Sequence, residues 1–458
     1  MCGIFGIYRV SEASKYIYFG LYSLQHRGQE GAGIAVFNGQ KIKYWKNLGL
    51  VSEVFKENIL KELSGEIGIG HVRYSTTGLP VIQNVQPFCV NFAKKTLALA
   101  HNGNLVNAYQ IRTELEEEGH IFQTTMDSEV IMHLIVKHLK EGLVSAISKA
   151  MYQIRGAYSV LLLYNDTLVA FRDPWGFRPL ALGILNGGYV ISSETCAFDL
   201  ISAQYLRDIE PGEILVIDQK GIHSFFPFKE THFKLSHCIF EFIYFARPDS
   251  LIFKKNVYLV RKNLGYNLYK ECPLEADLVM PFPDSGNYAA IGYAQASGLP
   301  LEFGVIRNHY IGRTFIEPSE KIRDFSVKVK LNPVKELIKG KEVIIIDDSL
   351  VRGTTCRNRL KSIKEAGAKK IHFLLSCPPI KHPCFFGIDF PSASELIASK
   401  HSVEEIRKFL DINTLYYLSI EGLLEAVGEL KDKVCLACFN GEYPIEVDYS
   451  FRKDIIEV

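Results

Sequence analysis

The sequence predicts two domains of different class, an α+β layered domain followed by an α/β domain with a parallel sheet. Three observations carry this. Over roughly the first 220 residues, short apolar runs separated by Gly-rich turns read as strands. They are Ile34–Phe37, Ile67–Val72, Thr96–Ala100, Ser159–Leu163 and Tyr189–Ser192, with helical patterns at Leu105–Glu118 and Ser128–Glu141. Farther on, strands alternate with helices: Leu278–Pro281, Tyr288–Ser297, Phe303–Ile306, Glu342–Ile346, Thr355–Ala366 and Lys370–Leu375. Strand–helix–strand order implies parallel pairing with crossover helices, and Val403–Leu410 and Ser419–Gly428 close the chain as helices. Between the two patterns, Phe226-Pro227-Phe228-Lys229 sits in a stretch without periodicity. The boundary falls between about Phe225 and Ser236, dividing the chain into 2–228 and 229–458.

A chain of 458 residues suggests two or three domains. Apolar residues are 47% and charged residues 22%, as in globular proteins. Lys plus Arg is 52 and Asp plus Glu 51, a net charge of +1. That balance offers no electrostatic reason for a nucleic-acid or membrane-surface partner. No apolar run is long enough to span a bilayer, and Met1-Cys2-Gly3-Ile4-Phe5-Gly6 lacks the basic region of a signal peptide. The expected location is cytoplasmic. In that reducing compartment the ten cysteines are poor disulfide candidates, and cysteines that react or bind metal gain weight.

Cys2 comes directly after the initiator Met. Removal of Met1 would leave Cys2 with a free α-amine, whose ordinary pKa of about 7.7–8.0 leaves a useful neutral fraction at pH 7. A thiol and its own amine then form a nucleophile–base pair. An isolated Met-Cys start would read equally as a small buried residue opening a strand. Four further blocks change the balance: His26-Arg27-Gly28-Gln29-Glu30-Gly31-Ala32-Gly33, His71-Val72-Arg73-Tyr74-Ser75-Thr76-Thr77-Gly78, His101-Asn102-Gly103-Asn104-Leu105 and Asp127-Ser128-Glu129.

With these blocks, residues 2–225 resemble the class II glutamine amidotransferases, the N-terminal-nucleophile hydrolases. The resemblance implies a four-layer αββα domain, two stacked antiparallel sheets flanked by helices. It implies that Cys2 attacks the glutamine amide carbon, and that Asn102 and the backbone N–H of Gly103 form the oxyanion hole. Arg73 would clamp the α-carboxylate, Asp127 would take the α-ammonium, and Arg27 would order the site. Taken singly, Arg73 also reads as a surface charge and Asp127 as a helix N-cap. His26, His71 and His101 read as structural.

In the second half, Glu342-Val343-Ile344-Ile345-Ile346-Asp347-Asp348-Ser349-Leu350-Val351-Arg352-Gly353-Thr354-Thr355 runs from an apolar strand through two carboxylates into a Gly/Thr turn that opens a helix. Backbone N–H groups at a helix N-terminus bind phosphate, Gly allows close approach, and carboxylates take Mg²⁺ or ribose hydroxyls. The plain alternative is a strand–turn–helix with acidic capping. No Gly-Lys-Ser/Thr follows, so this is no Walker loop. The block resembles the binding loop of type I phosphoribosyltransferases. By that resemblance Asp347 and Asp348 serve ribose and Mg²⁺, Arg352, Gly353, Thr354 and Thr355 cradle the 5′-phosphate, and Ser285 of Pro283-Asp284-Ser285-Gly286 is a further Mg²⁺ ligand. The polar segment Gly312 to Asn332, with Lys328 and Lys330, resembles the lid that orders over phosphoribosyl pyrophosphate. His309 stands where relatives often carry Arg.

Cys435-Leu436-Ala437-Cys438 alone could be a redox pair, half a zinc site or two buried thiols. With Cys238 and Cys384 it makes four thiols, able by ligand count to hold Zn²⁺ or an iron–sulfur cluster. Taken whole, including Arg172-Asp173-Pro174-Trp175-Gly176-Phe177-Arg178-Pro179-Leu180 and Tyr244-Phe245-Ala246-Arg247-Pro248-Asp249-Ser250, the chain resembles the amidophosphoribosyltransferases. Within them it resembles the Bacillus-type subgroup, whose cluster ligands match Cys238, Cys384, Cys435 and Cys438. The resemblance implies ammonia from glutamine attacking C1 of phosphoribosyl pyrophosphate, the first committed step of purine synthesis. It also implies one Mg²⁺ and one structural [4Fe–4S] cluster per subunit, purine nucleotides as feedback inhibitors, and a homotetramer. Cys89, Cys196, Cys272, Cys356 and Cys377 read as buried. Two rival readings are a glutamine–fructose-6-phosphate aminotransferase, against which the Asp347–Thr355 loop stands, and a non-catalytic phosphoribosyl pyrophosphate-binding regulator, which would lack Cys2 and Asn102.

Overall fold

The computed structural model describes residues 1–75, 78–93, 95–308, 331–390 and 392–447. Its first half holds two antiparallel sheets. One has seven strands in the order Gln204–Asp208, Ala181–Leu185, Gly188–Ser192, Gly3–Tyr8, Ile67–Arg73, Gly31–Phe37 and Ile42–Leu48. The other has six: Gly221–Phe225, Ile214–Asp218, Thr167–Arg172, Gly156–Tyr164, Lys95–Leu105 and Phe88–Phe92. Ile4, Ile69, Ala98, Ala100, Leu161 and Leu215 fill the space between them, all at 0% exposure, so the sheets are buried on their facing sides. Their outer faces are covered too. Helices Ala13–Ser23 and Cys196–Ile201 pack on the first sheet, and Ala108–Glu117, Asp127–His138 and Leu143–Gln153 on the second. The four-layer αββα order expected from the sequence is present. Burial on both faces explains why the strands read as apolar runs rather than as strict alternation.

In the second half, Leu278–Pro281, Glu342–Asp347, Lys370–Leu375 and Thr414–Tyr417 form a four-stranded sheet, all parallel. Helices Val257–Glu271, Asn287–Ser297 and Ile420–Val427 cover one face, and Thr354–Glu365 and Val403–Leu410 the other. One expectation fails. The run Phe303–Ile306 does not extend this sheet. Instead Val305–Arg307 pairs antiparallel with Leu331–Pro333 in a two-stranded ribbon. Phe303 and Ile306 are exposed while Val305 is buried, a half-buried pattern that a doubly covered parallel strand does not tolerate. No helix among the described residues is long and apolar enough to cross a membrane.

Candidate active site

Cys2 directly precedes the strand Gly3–Tyr8, the central strand of the first sheet, whose neighbour pairs Val72 with Gly3. Placement beside a strand with partners on both sides gives the residue a rigid support. Its thiol is buried and donates to the carbonyl of Tyr74 at 3.5 Å. Burial pushes that thiol up, against the lowering effect of the nearby terminal amine. The Met1 amine is itself buried and drops to about 5, chiefly through desolvation. Arg27 ends the short turn Gln25–Arg27 and is buried. Its Nε donates to the Cys2 carbonyl at 2.9 Å, and its other nitrogens reach Glu194 at 2.5 Å and Glu241 at 2.8 and 3.0 Å. Burial opposes the Arg27 charge, but Glu241 and Glu194 outweigh it and hold the guanidinium protonated.

Asn102 and Gly103 lie on Lys95–Leu105, opposite Ser159 and Tyr158. The two sheets are tied at this level: His71 Nε2 lies 3.2 Å from the carbonyl of His101, and His71 is two residues before Arg73. Asn102 is fully buried, and neither its amide nitrogen nor its oxygen has a hydrogen-bond partner among the described residues. A buried orphan amide costs about 1–3 kcal/mol per group and calls for an explanation such as a ligand. Gly103 is obligatory, because a Cβ there would lie 1.9 Å from the carbonyl of Ala157.

Arg73 ends Ile67–Arg73 and is buried. It donates to the carbonyls of Asn84 at 2.8 Å, Gly78 at 3.0 Å and Leu79 at 3.1 Å, tying down the segment after Tyr74. Asp127 is the first residue of its helix rather than its N-cap, which is Met126. One of its oxygens accepts from the N–H of Leu105 at 2.9 Å. Burial raises this carboxyl, but His101 and these hydrogen bonds pull it below its ordinary value, so the site contains an ionised buried carboxylate. The structure therefore brings Cys2 together with Arg27 and Tyr74, and Asp127 together with the strand of Asn102 and Gly103. Thr76 and Thr77 lie outside the described residues.

In the second half, Glu342–Asp347 ends at the sheet's carboxyl edge, where ligands of open α/β sheets bind. Ser285 Oγ donates to Asp347 at 3.1 Å, joining two positions far apart in sequence. Asp347 and Asp348 are buried. Desolvation and then the Asp348 charge push Asp347 well above the usual carboxylate range. Gly353, at φ 82°, turns the chain into the helix Thr354–Glu365, and Arg352, Thr354 and Thr355 are all exposed. Arg352 meets Glu395 at 2.7 Å. His309, the segment 312–330 with Lys328 and Lys330, and thus most of the expected lid lie outside the described residues.

Cys238, Cys384, Cys435 and Cys438 line one pocket with Phe177, Phe240 and Phe386. Cys238 and Cys435 are partners in a short parallel pairing, and the N–H of Phe386 donates to Cys384 Sγ at 3.4 Å. Four thiols in an apolar, aromatic-walled space, one already accepting a backbone N–H, suit a thiolate-bound cluster. No group of three or more His, Cys, Asp or Glu among the described residues is placed to hold a single metal ion.

Sequence reasoning missed Glu194, Glu241 and the contacts of Arg178. A signal existed for one: Glu241 is the lone carboxylate in the apolar run 238–245, and such a residue is almost always paired.

Residues 71–199 match the glutamine amidotransferase domain family. An antiparallel αββα half with a buried cysteine ahead of its central strand, joined to a four-stranded parallel sheet covered on both faces, defines a glutamine amidotransferase fused to a phosphoribosyltransferase-type domain. The chain is 48% identical to an amidophosphoribosyltransferase of Methanocaldococcus jannaschii, over 98% of each chain. It is also 48% identical to that of Bacillus subtilis, over 97% of this chain and 94% of the relative. The solved B. subtilis glutamine phosphoribosylpyrophosphate amidotransferase, complexed with ADP and GMP, superposes with a TM-score of 0.92 at 47% identity, over 98% of both chains. The chain belongs to the amidophosphoribosyltransferase family.

Proposed function

We propose that this chain hydrolyses glutamine at Cys2 and delivers the ammonia to C1 of phosphoribosyl pyrophosphate, forming 5-phosphoribosylamine, glutamate and pyrophosphate, the first step of purine synthesis. The unpartnered buried amide of Asn102 carries the reading. It is a donor set in place, without a protein acceptor among the described residues, on a strand tied to the one beside Cys2. Pre-set donors of this kind contribute about 10²–10³-fold when they meet a developing oxyanion.

With Met1 removed, the Cys2 amine takes the thiol proton as sulfur attacks the amide carbon. Asn102 and the Gly103 N–H hold the oxyanion. The proton passes to the leaving nitrogen, ammonia departs, and water cleaves the thioester. Arg73 and Asp127 hold the glutamine α-carboxylate and α-ammonium. In the second half, Asp347, Asp348 and Ser285 would hold Mg²⁺, which when bound would supply positive charge to the pyrophosphate leaving group, while Arg352, Gly353, Thr354 and Thr355 seat the 5′-phosphate. The C1–O bond breaks, the C1–N bond forms, and the new ammonium loses a proton.

Residues 2–228 form the glutaminase and 229–458 the transferase. Cys238, Cys384, Cys435 and Cys438 hold one [4Fe–4S] cluster per subunit in a structural role. The relative solved with ADP and GMP supports purine nucleotides as inhibitors. The assembly is a cytoplasmic homotetramer.

The deciding assay is glutamine-dependent pyrophosphate release. Cys2→Ala should lower it by at least about 10⁴-fold, while ammonium salts still support turnover. Loss of both activities in a folded Cys2→Ala protein would refute separate sites. Iron and acid-labile sulfide assays test the cluster, and their absence in anaerobically purified protein would rule it out.

A further inference from the structure

The turn after Cys238 carries a carboxylate that neither site above uses. Glu241 is fully buried and opens the π-helical turn Glu241–Phe245. Its neighbours Phe240, Phe242 and Ile243 are core, so local packing has no need of a charge there. A carboxylate in such surroundings is strongly destabilising unless it is paired. Glu241 is paired on both oxygens with one residue, accepting from the two terminal nitrogens of Arg27 at 2.8 and 3.0 Å. This fork-on-fork contact fixes the plane of the guanidinium. The remaining edge of that plane, Nε, donates to the Cys2 carbonyl. Glu194 closes the opposite side. Behind Glu241, Arg178 stands at 3.5 Å and donates to the carbonyl of Phe386.

The consequence is mechanical. Gly3 is locked in the ladder opposite Val72, and the guanidinium holds the Cys2 carbonyl. Together they fix the Cys2–Gly3 peptide plane and hence the Cα of Cys2, leaving only the thiol rotor and the amine to adjust. Glu194 comes from the same half as Cys2, but Glu241 comes from the other. We propose that Glu241 is a positioning residue for Cys2: acting through Arg27, it lets the C-terminal half set the pose of the nucleophile. The proposal rests on Cys2 being that nucleophile. Glu241 contacts Arg27, and Arg178 contacts the Phe386 carbonyl and the Met1 sulfur, rather than the Arg73 and Asp127 read as holding glutamine, so turnover depends on them and glutamine affinity does not.

The test uses the full-length protein purified anaerobically, with Glu241→Gln and Glu241→Asp. The first keeps shape and removes charge. The second keeps charge and shortens the reach by one methylene. Glu241→Gln should lower kcat with glutamine by about 10–100-fold, with KM within about threefold and the ammonia-dependent rate within about twofold. Alkylation of Cys2 by iodoacetamide, followed by peptide mass spectrometry, should slow in parallel. Glu241→Asp should recover part of kcat, and it decides the matter if the Gln variant does not fold. A rise in KM at unchanged kcat, an unaltered kcat, or a joint fall of the glutamine and ammonia rates in folded Glu241→Asp overturns the proposal. A Cys2→Ala protein that still consumes glutamine would overturn the nucleophile reading instead. If that variant is inactive while Glu241→Gln is normal, only the positioning role fails.

Discussion

At the N-terminal centre, Cys2, Arg27, Arg73, Asn102 and Asp127 are all buried and come from separate stretches of chain. At the C-terminal centre, Asp347 to Thr355 is one continuous run, and Thr354 and Thr355 face outward. The difference reflects the ligand each centre is proposed to hold. A small zwitterion and a developing oxyanion need enclosed, pre-set donors and charges, and each buried charge needs a partner: Arg27 has Glu194 and Glu241, and Asp127 has His101 and the Leu105 N–H. A phosphate ligand brings its own charge and a cation, so a turn with outward N–H groups at a strand end suffices. The first design stores its precision in long-range hydrogen bonds, the second in local backbone geometry.

That contrast can be broken by substitution. Asp347→Asn should damage both nitrogen routes, lowering glutamine- and ammonia-dependent pyrophosphate release by about 10³-fold, because the shared transferase step loses its charge partner. If only the glutamine route fell, the assignment of centres would be reversed. Asn102→Ala should cost the glutamine route about 10²–10³-fold in kcat and spare the ammonia route; equal losses on both would deny it an oxyanion role. Gly387→Ala probes the seam between the halves. Gly387 has φ 99°, and a Cβ there would lie 3.1 Å from the backbone of Gly103. Steady-state assays should give a glutamine kcat down by about tenfold with the ammonia rate little altered.

The smallest effect concerns burial alone. Burial raises Asp173 to about 6, with Arg172 and the N–H groups of Phe177 and Tyr158 only partly offsetting it. Its folded pKa thus exceeds the unfolded one. Between roughly pH 4 and 6 the folded state keeps a proton that the unfolded chain has released, so this residue's contribution weakens as pH rises. Asp173→Asn should therefore gain on the parent by about 1–3 kcal/mol across that window in denaturant titrations. A constant difference from pH 4 to 6 would show that Asp173 ionises normally.

Legibility followed the same division. The strands Leu278–Pro281 and Lys370–Leu375 and the helix Val403–Leu410 were readable to the residue, because a continuous apolar run or a helical period is a local property, whereas the edge strand Thr414–Tyr417 went unread. The strand–turn–helix from Glu342 through Gly353 was readable as well, since its apolar run, carboxylates, Gly353 and threonines are contiguous. The run at Phe303 misled because an apolar stretch does not say which sheet it joins. Arg27 could be named by resemblance, but nothing local announced that its guanidinium would be shared by Glu194 and Glu241, 167 and 214 residues away.

The amino-acid order alone determined the set of chemical groups and the two fold classes, because residue type, spacing and period are carried by neighbours in the chain. Tertiary structure decided which groups meet: Ser285 with Asp347, four thiols from three distant stretches around one pocket, and Glu241 with Arg27 behind Cys2. The physical reason is that a buried charge or amide is stabilised only by a partner at hydrogen-bond distance, and that distance exists only once the sheets have stacked.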